Sequence, residues 1–221
     1  LRTGLNTLLL TIGSLILTLT LAIPIALSSA RRGMTRLTWP LTIGAYVISA
    51  LPVFWLGYIV IYFFTHQLGL FPLVFGFSGT GQRFRWLYQL LPIFVLGVGN
   101  GTISEVIRYF RQEMSRVMAE DYIRLARAKG GSVWKHSFKE GLLIPVTEIV
   151  ASKIPFILGG AVIVEQVFNW PGMGRMAWQA AQDRDYPVIM GIAIVAAILV
   201  RMGSLFQSMV YVIVNPRASK E

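Results

Sequence analysis

Residues Leu5 to Leu27 run for 23 positions without a charged side chain. At ~1.5 Å per residue, a helix of that length covers the roughly 30 Å hydrocarbon core of a bilayer. Leu41 to Phe64 and Leu87 to Ile103 are two more uncharged runs. Gly141 to Phe168 is interrupted only by Glu148, Lys153 and Glu165, and Val188 to Val214 only by Arg201. Runs this long specify helices, because a membrane strand needs about 10 alternating residues. The expected fold is therefore all-α, a polytopic membrane protein with about five transmembrane helices. Composition agrees: 14% of residues are charged, against about 25% in soluble domains. Pro24, Pro52, Pro92 and Pro155 fall inside the runs, where neighbouring helices can re-satisfy the freed backbone groups.

The net charge of +10 is distributed by segment. Residues 28–36 hold Arg31, Arg32 and Arg36, residues 108–140 hold eight Lys or Arg, and the tail adds Arg217 and Lys220, which makes 13. The opposite side holds Arg2, Arg83, Arg85, Arg175 and Arg184. Basic loops stay in the cytoplasm, so the C-terminus and residues 108–140 are expected inside and the N-terminus outside. The basic residues cluster between apolar stretches, and no zinc-finger spacing or RNA-binding aromatic pattern accompanies them. They read as topology and not as a nucleic-acid surface. The basic flank follows Leu5–Leu27 instead of preceding it, so this stretch reads as a spanning helix and not a signal peptide. An outward N-terminus at Leu1, which is not Met, suggests that an upstream helix is missing. With zero cysteines, disulfides, thiolate metal sites and thiol catalysis are excluded.

Within the cytoplasmic segment, residues 119–130 read AEDYIRLARAKG. Tyr122, Leu125 and Ala126 share the spacing of one apolar helical face. Glu120 and Asp121 suit the positive end of a helix dipole and Lys129 the negative end, and Gly130 and Gly131 are stop signals. Three readings of this short amphipathic helix stand side by side: a solvated basic loop, an interfacial helix on anionic lipid, and a docking helix for a cytoplasmic partner.

The run EDYIRLARAKG resembles the cytoplasmic loop motif of binding-protein-dependent permeases in the dipeptide/oligopeptide/nickel family, with Ala126 to Gly130 as its Ala-x3-Gly end. GGAVIVEQVFNWPGMGRM, from Gly159 to Met176, is similar to the family's next block, with Glu165, Phe168, Trp170, Pro171, Gly172 and Gly174 on its usual residues. Arg184 to Pro187, Leu51 to Trp55, and the tail from Tyr211 to Arg217 continue the resemblance over nearly the whole chain. Departures are the missing Asn-Ala pair before Pro145 and Ser208 where the family usually has Asp.

The resemblance implies one transmembrane permease domain over residues 1–221, with the fold of type I ABC importers and a coupling segment at about 108–140. It implies that Glu120, Asp121, Tyr122, Arg124, Ala126, Arg127, Ala128, Lys129 and Gly130 form a coupling helix seated on a separate ATPase. The implied partners are a second permease subunit, two ABC ATPase subunits and an extracytoplasmic substrate-binding protein. The chain would bind no cofactor, with ATP and Mg in the ATPase subunits. The setting would be a bacterial or archaeal inner membrane, and the cargo peptides or a related small solute, a nickel complex included. Export of peptides or polyamines is the alternative, and a secondary transporter a further one. The latter usually shows inverted repeats and midplane carboxylates, whereas the mid-depth charges here are basic.

The chain has no phosphate-binding GxxxxGK[ST] loop and no HExxH, and its two histidines, His66 and His136, are far apart in sequence. No enzyme activity and no metal site are expected. Charges within a span are costly and tend to face a wet cavity or a partner charge. Lys153 and Arg201 therefore either line the translocation path or pair with an acidic group. Glu165 either bonds the loop that follows it or acts at the external face. The turn Trp170-Pro171-Gly172-Met173-Gly174 either touches the binding protein or is a tight turn with an interfacial Trp. Arg175 to Gln182 is expected to form a helix along the outer surface or a re-entrant piece.

Overall fold

The computed structural model describes residues 2–32, 35–67, 87–99 and 101–214; at residues 31–32, 87–88, 139, 151–160, 207, 210–211 and 214 the backbone alone is described. Arg83, Arg85 and the Asn-Pro-Arg tail lie outside the described residues. Those described form helices and connecting turns: α1 (Arg2–Arg32), α2 (Thr38–Ser49), α3 (Val53–Tyr62), α4 (Leu87–Val98), α5 (Thr102–Ala119), α6 (Asp121–Ala128), α7 (Val133–Phe138), α8 (Ile144–Val167), α9 (Met173–Gln182) and α10 (Tyr186–Val214). Five-residue π-helical turns follow α3 at Phe63–Gln67 and precede α8 at Lys139–Leu143.

α1 is the axis of the bundle, packing against α2, α4, α5, α8 and α9. Its inward stripe is hydroxylic: Thr7, Thr11, Ser14 and Thr18 are all buried. The spacing 4, 3, 4 keeps them on one face, and small side chains let helices approach closely. Gly97 of α4 uses that room, since a Cβ there would lie 2.7 Å from the Ser14 carbonyl oxygen. The Thr18 hydroxyl lies 2.6 Å from the Gly97 carbonyl. Two apolar clusters stack along this axis. The one nearer the start of α1 joins Leu10 and Leu15 to Val53, Leu56, Val95, Val164 and Phe168. The one nearer its end joins Ala22 and Ala26 to Ala45, Val106, Ile107, Phe110 and Ile149.

Among the described residues, α1 and α10 are each long and apolar enough to cross a membrane. α8, with 24 residues, extends about 36 Å. The run expected as a second straight span is broken instead: α2 and α3 meet at 106°. Pro52 has no N–H to continue α2, and its ring disfavours helical backbone at Leu51. Its extended conformation (ψ 137°) sets the turn. Pro24 and Pro92 remain inside their helices. The third expected span also ends differently. α4 stops at Val98, Gly101 takes a left-handed φ of 79°, and α5 leaves at 53° to α4. α5 continues to Ala119, so the first third of the expected cytoplasmic segment is a helix packed on α1. Its buried face, Ile103, Val106, Ile107, Phe110, Met114 and Val117, repeats at the helical period.

Candidate functional site

α6 begins directly after α5, with extended backbone at Glu120. The Glu120 carbonyl accepts from the Ile123 and Arg124 amides, and Asp121 sits in the first turn, where a carboxylate favours the dipole. The helix ends as the two glycines predict. The Gly131 amide donates to the Ala126 carbonyl at 2.8 Å and the Gly130 amide to the Arg127 carbonyl at 3.1 Å. Gly130 has φ 71°, the left-handed geometry that glycine adopts without Cβ strain.

The apolar face of α6 differs from the expected one. Ile123 and Ala126 are buried, while Tyr122 is 36% exposed and Leu125 55% exposed. The helix is seated on the rest of the chain by the first pair and presents Leu125 outward. Arg124, Arg127, Ala128 and Lys129 are exposed around it. Asp121 and Arg124 form an ion pair at 3.3 Å; both are open to solvent, where such a pair contributes little. Tyr122 Oη donates to Glu140 Oε2 at 2.8 Å. That bond ties α6 to the π-helical turn at the base of α8. Burial first, and then the hydrogen bond to Glu140, pushes the Tyr122 hydroxyl up to about 12. A second phenol–carboxylate link, Tyr109 to Glu148, joins α5 to α8 about two turns further along. Sequence reasoning missed both links, because the partners lie 18 and 39 residues apart.

At the opposite end, Glu165 is the one charged side chain fully buried among the described residues. Oε1 accepts from the Thr7 hydroxyl at 2.6 Å and Oε2 from the Arg175 amide at 2.9 Å. The Gly174 amide also bonds this carboxylate. The Met173 amide donates to Thr7 Oγ1 at 2.8 Å. Three amides in the first turn of α9 would otherwise lack intrahelical partners; Glu165 and Thr7 satisfy them together. Gly172 is required by this contact, since a Cβ there would overlap the Glu165 carboxylate. At Gly174 a Cβ would lie 2.7 Å from the Val162 Cα. Glu165 therefore bonds the loop and helix that follow it, as one of the two sequence readings had it.

Trp170 is 3% exposed, and its Nε1–H donates to the Asn6 carbonyl at 3.2 Å. Asn6 Nδ2 returns a bond to the Pro171 carbonyl at 2.8 Å. Trp170 is thus a buried anchor and not an interfacial side chain. The exposed residues beyond the turn include Met176, Trp178, Gln179, Asp183, Arg184 and Asp185. α9 forms over the expected stretch, with Met173, Gly174 and Ala180 buried. Lys153 lies on α8, with its side chain outside the description, and Arg201 is exposed on α10. His66 stacks on Tyr62 with ring centroids 4.7 Å apart, and His136 Nδ1 lies 2.8 Å from the Ser132 carbonyl. Among the described residues no three His, Cys, Asp or Glu side chains converge as a metal site.

Residues 22–220 match the family described as the inner membrane component of binding-protein-dependent transport systems. The oligopeptide transport system permease protein AppB of Bacillus subtilis is 40% identical over 96% of this chain and 68% of its own length. The glutathione transport system permease protein GsiC is 35% identical in Pectobacterium atrosepticum, over 80% of this chain and 57% of that protein. In Salmonella typhi it is 34% identical over 96% and 67%. The chain thus spans about two thirds or less of these relatives. A solved chain of the MetNI methionine ABC transporter, in inward-facing conformations, superposes with TM-score 0.70 over 96% of this chain and 94% of that one, at 16% identity. The fold is thus that of an ABC importer permease. The chain is a multi-pass inner-membrane transport component and not an enzyme, and it belongs to the family of binding-protein-dependent ABC import permeases.

Proposed function

We propose that residues 1–221 act as one permease domain that forms half of a translocation pore and is driven through α6 by a separate ATPase. The observation that carries this reading is the division of α6: Ile123 and Ala126 hold it to the bundle, while Leu125, Arg124, Arg127, Ala128 and Lys129 face outward. An apolar residue ringed by cations at the end of a membrane bundle suits the groove of a cytoplasmic protein. The Tyr122–Glu140 bond gives movement of α6 a route into α8. Glu120, Asp121 and Gly130 set the helix ends. The assembly would comprise this chain, a second permease subunit, two ATPase subunits carrying ATP and Mg, and an extracytoplasmic binding protein. The oligopeptide and glutathione relatives favour a peptide-like cargo, with a nickel complex as another candidate. The 13-to-5 division of basic residues supports a cytoplasmic C-terminus. Lys153 and Arg201 are candidates for the path. The buried Glu165, Trp170, Gly172 and Gly174, with half-buried Pro171, shape the external turn, leaving Trp178 and its exposed neighbours to meet a binding protein.

The test is co-purification of the ATPase with this chain carrying Leu125→Glu, beside Glu113→Gln as a control outside α6. Loss of ATPase with Leu125→Glu alone is expected. Full retention of ATPase, with transport intact, would reject the coupling assignment.

A further inference from the structure

α10 is apolar enough to cross a membrane, yet Arg201 stands about 22 Å along this helix of about 43 Å. Helical positions advance by about 100° each, which sorts the residues around Arg201 onto three faces. Ile192, Ala196, Leu199 and Gly203 are half-buried on one side, as α10 packs against α8 and α9. Ile198, Met202, Leu205, Phe206 and Met209 are large, apolar and exposed, as contact with lipid requires. The third face holds Ala193, Ala197, Arg201, Ser204 and Ser208 within about 80° of arc. Between Ala193 and Ser208 that arc carries only small or polar side chains, half-buried at Ser204 and exposed elsewhere. A charged side chain at this depth is tolerated facing water or protein, not hydrocarbon. The chain supplies no counter-ion for it. Of the ten Asp and Glu residues in the sequence, nine are among the described residues and none of these pairs with Arg201. The tenth, Glu221, lies seven residues beyond the end of α10. The Ser204 and Ser208 hydroxyls donate to the carbonyls of Arg201 and Ser204 on their own helix, at 2.9 and 3.0 Å, and leave the guanidinium unengaged.

We infer that Arg201 is the contact for a carboxylate of the solute as it crosses the membrane, an assignment that rests on the permease reading above, in which Arg201 is a candidate for the path. A guanidinium is always charged, and its planar fork matches a carboxylate with two parallel hydrogen bonds. A peptide-like cargo ends in such a group. The pattern of the face favours a passing anion over a fixed ion pair with a second subunit. A fixed pair needs polarity at one level of the helix, whereas here it continues to Ser204 and Ser208, one and two turns beyond Arg201. The face runs for about 22 Å from Ala193 to Ser208, which suits a wet strip along which a solute moves. Its small side chains leave room for that solute beside the guanidinium.

The absence of cysteine makes this directly measurable. Ser204→Cys would place the one thiol of this chain a turn away from Arg201 in the complete transporter, held in nanodiscs. Its modification by a sulfonate-bearing and an ammonium-bearing methanethiosulfonate is followed by the mass of this chain, each rate referred to free cysteine. The expected result is about a ten-fold preference for the anionic reagent, since one cation roughly 6 Å away in water acts with opposite sign on the two. Arg201→Gln should abolish the preference and Arg201→Lys should keep it. Millimolar trialanine should slow modification, and trialanine amide, which lacks the carboxylate, should not. No reaction with either reagent would place this face against lipid or protein and overturn the assignment. Reaction without anion preference would show a guanidinium already neutralised by a second subunit, and would overturn it too. So would a preference that survives Arg201→Gln, or equal effects of the two peptides. ATPase co-purification is scored on the same samples. A complex without ATPase counts against the permease reading, whereas normal ATPase with no anion preference counts against the Arg201 assignment alone.

Discussion

Replacing Glu165 by Ala removes acceptors from three donors at once. The Thr7 hydroxyl, the Gly174 amide and the Arg175 amide all bond this carboxylate, and the residue is fully buried. Two of the donors are backbone amides in the first turn of α9, where water has no ready access. Leaving a buried donor unpaired costs about 1–3 kcal/mol, and losing a helix cap costs about 0.5–2 kcal/mol by itself. The Thr7 hydroxyl can fall back on the Thr3 carbonyl, 3.3 Å away, so its loss is small. The two amides together imply a cost of about 3–5 kcal/mol. For a chain of this size, 1 kcal/mol corresponds to about 2–4 °C in Tm, so the midpoint should fall by roughly 6–20 °C. Glu165→Gln keeps one acceptor oxygen but turns an NH2 towards the other donors, and should lie between wild type and Ala. Thermal unfolding of the purified chain in detergent measures the total. Hydrogen exchange at Met173, Gly174 and Arg175 measures the local part, which should accelerate before the rest of α9. A Tm within 2 °C of wild type, with exchange at those amides unchanged, would refute the cap.

Three further outcomes are expected. Gly130→Ala forces a Cβ into left-handed backbone at φ 71° and should cost about 1–2 kcal/mol, read as loss of helical exchange protection over Asp121–Ala128 with α1 unaffected. Gly97→Val drives a side chain into the Ser14 carbonyl and the Leu17 side chain; overpacking of about 1–3 kcal/mol should appear as a lowered Tm, and Gly44→Val, where a Cβ has no neighbour within 4 Å, should not reproduce it. The Tyr122 hydroxyl, raised from 10.0 to about 12 by burial and then by Glu140, holds its proton more tightly in the folded chain. Its contribution to stability is thus complete below pH 10 and is lost as pH rises towards 12; the absorbance difference between wild type and Tyr122→Phe should titrate in that window, and titration at pH 10 would show that neither the burial of this hydroxyl nor its Glu140 link holds.

Features governed by local pattern were readable from the chain. The uncharged runs gave the helical class, and the Gly130-Gly131 pair gave the end of α6, because helix length and left-handed backbone are decided within a few residues. α5 was legible in principle: Ile103, Val106, Ile107, Phe110, Met114 and Val117 carry a strict helical period. Its five charged residues drew attention to topology instead. The α6 face was misjudged by one position, since eight residues contain too few apolar groups to separate Ile123 from Tyr122. What seats that helix is the bundle, not its own pattern. Pro52 breaks its helix while Pro24 and Pro92 do not, and the residue type alone does not separate the two outcomes. The Glu165–Thr7 contact spans 158 residues, and no short-range signal announces it. Trp170 was misplaced for the same reason, as its partner Asn6 lies 164 residues away.

The polar links fall at opposite ends of one helix. Towards its start, α8 is joined to α6 through Glu140 and to α5 through Glu148. Near its end, Glu165 joins it to α1 and α9. Between them α8 packs against α1, α3, α4 and α10. A close-packed helix held at both ends moves as a unit instead of bending. A displacement imposed at α6 would therefore reach α9 through about 36 Å of α8, shifting the turn at residues 170–174 along with the base. The weaker joint is the lower one. The Tyr122–Glu140 bond is exposed and closes on a π-helical turn, a distortion that accommodates hinge movement, whereas the Glu165 cap is buried and multiply bonded. Slack should appear at Lys139–Leu143 before it appears at Gly172–Arg175. Tyr122→Phe should therefore loosen transmission while leaving stability nearly intact, and Glu165→Ala should do the reverse.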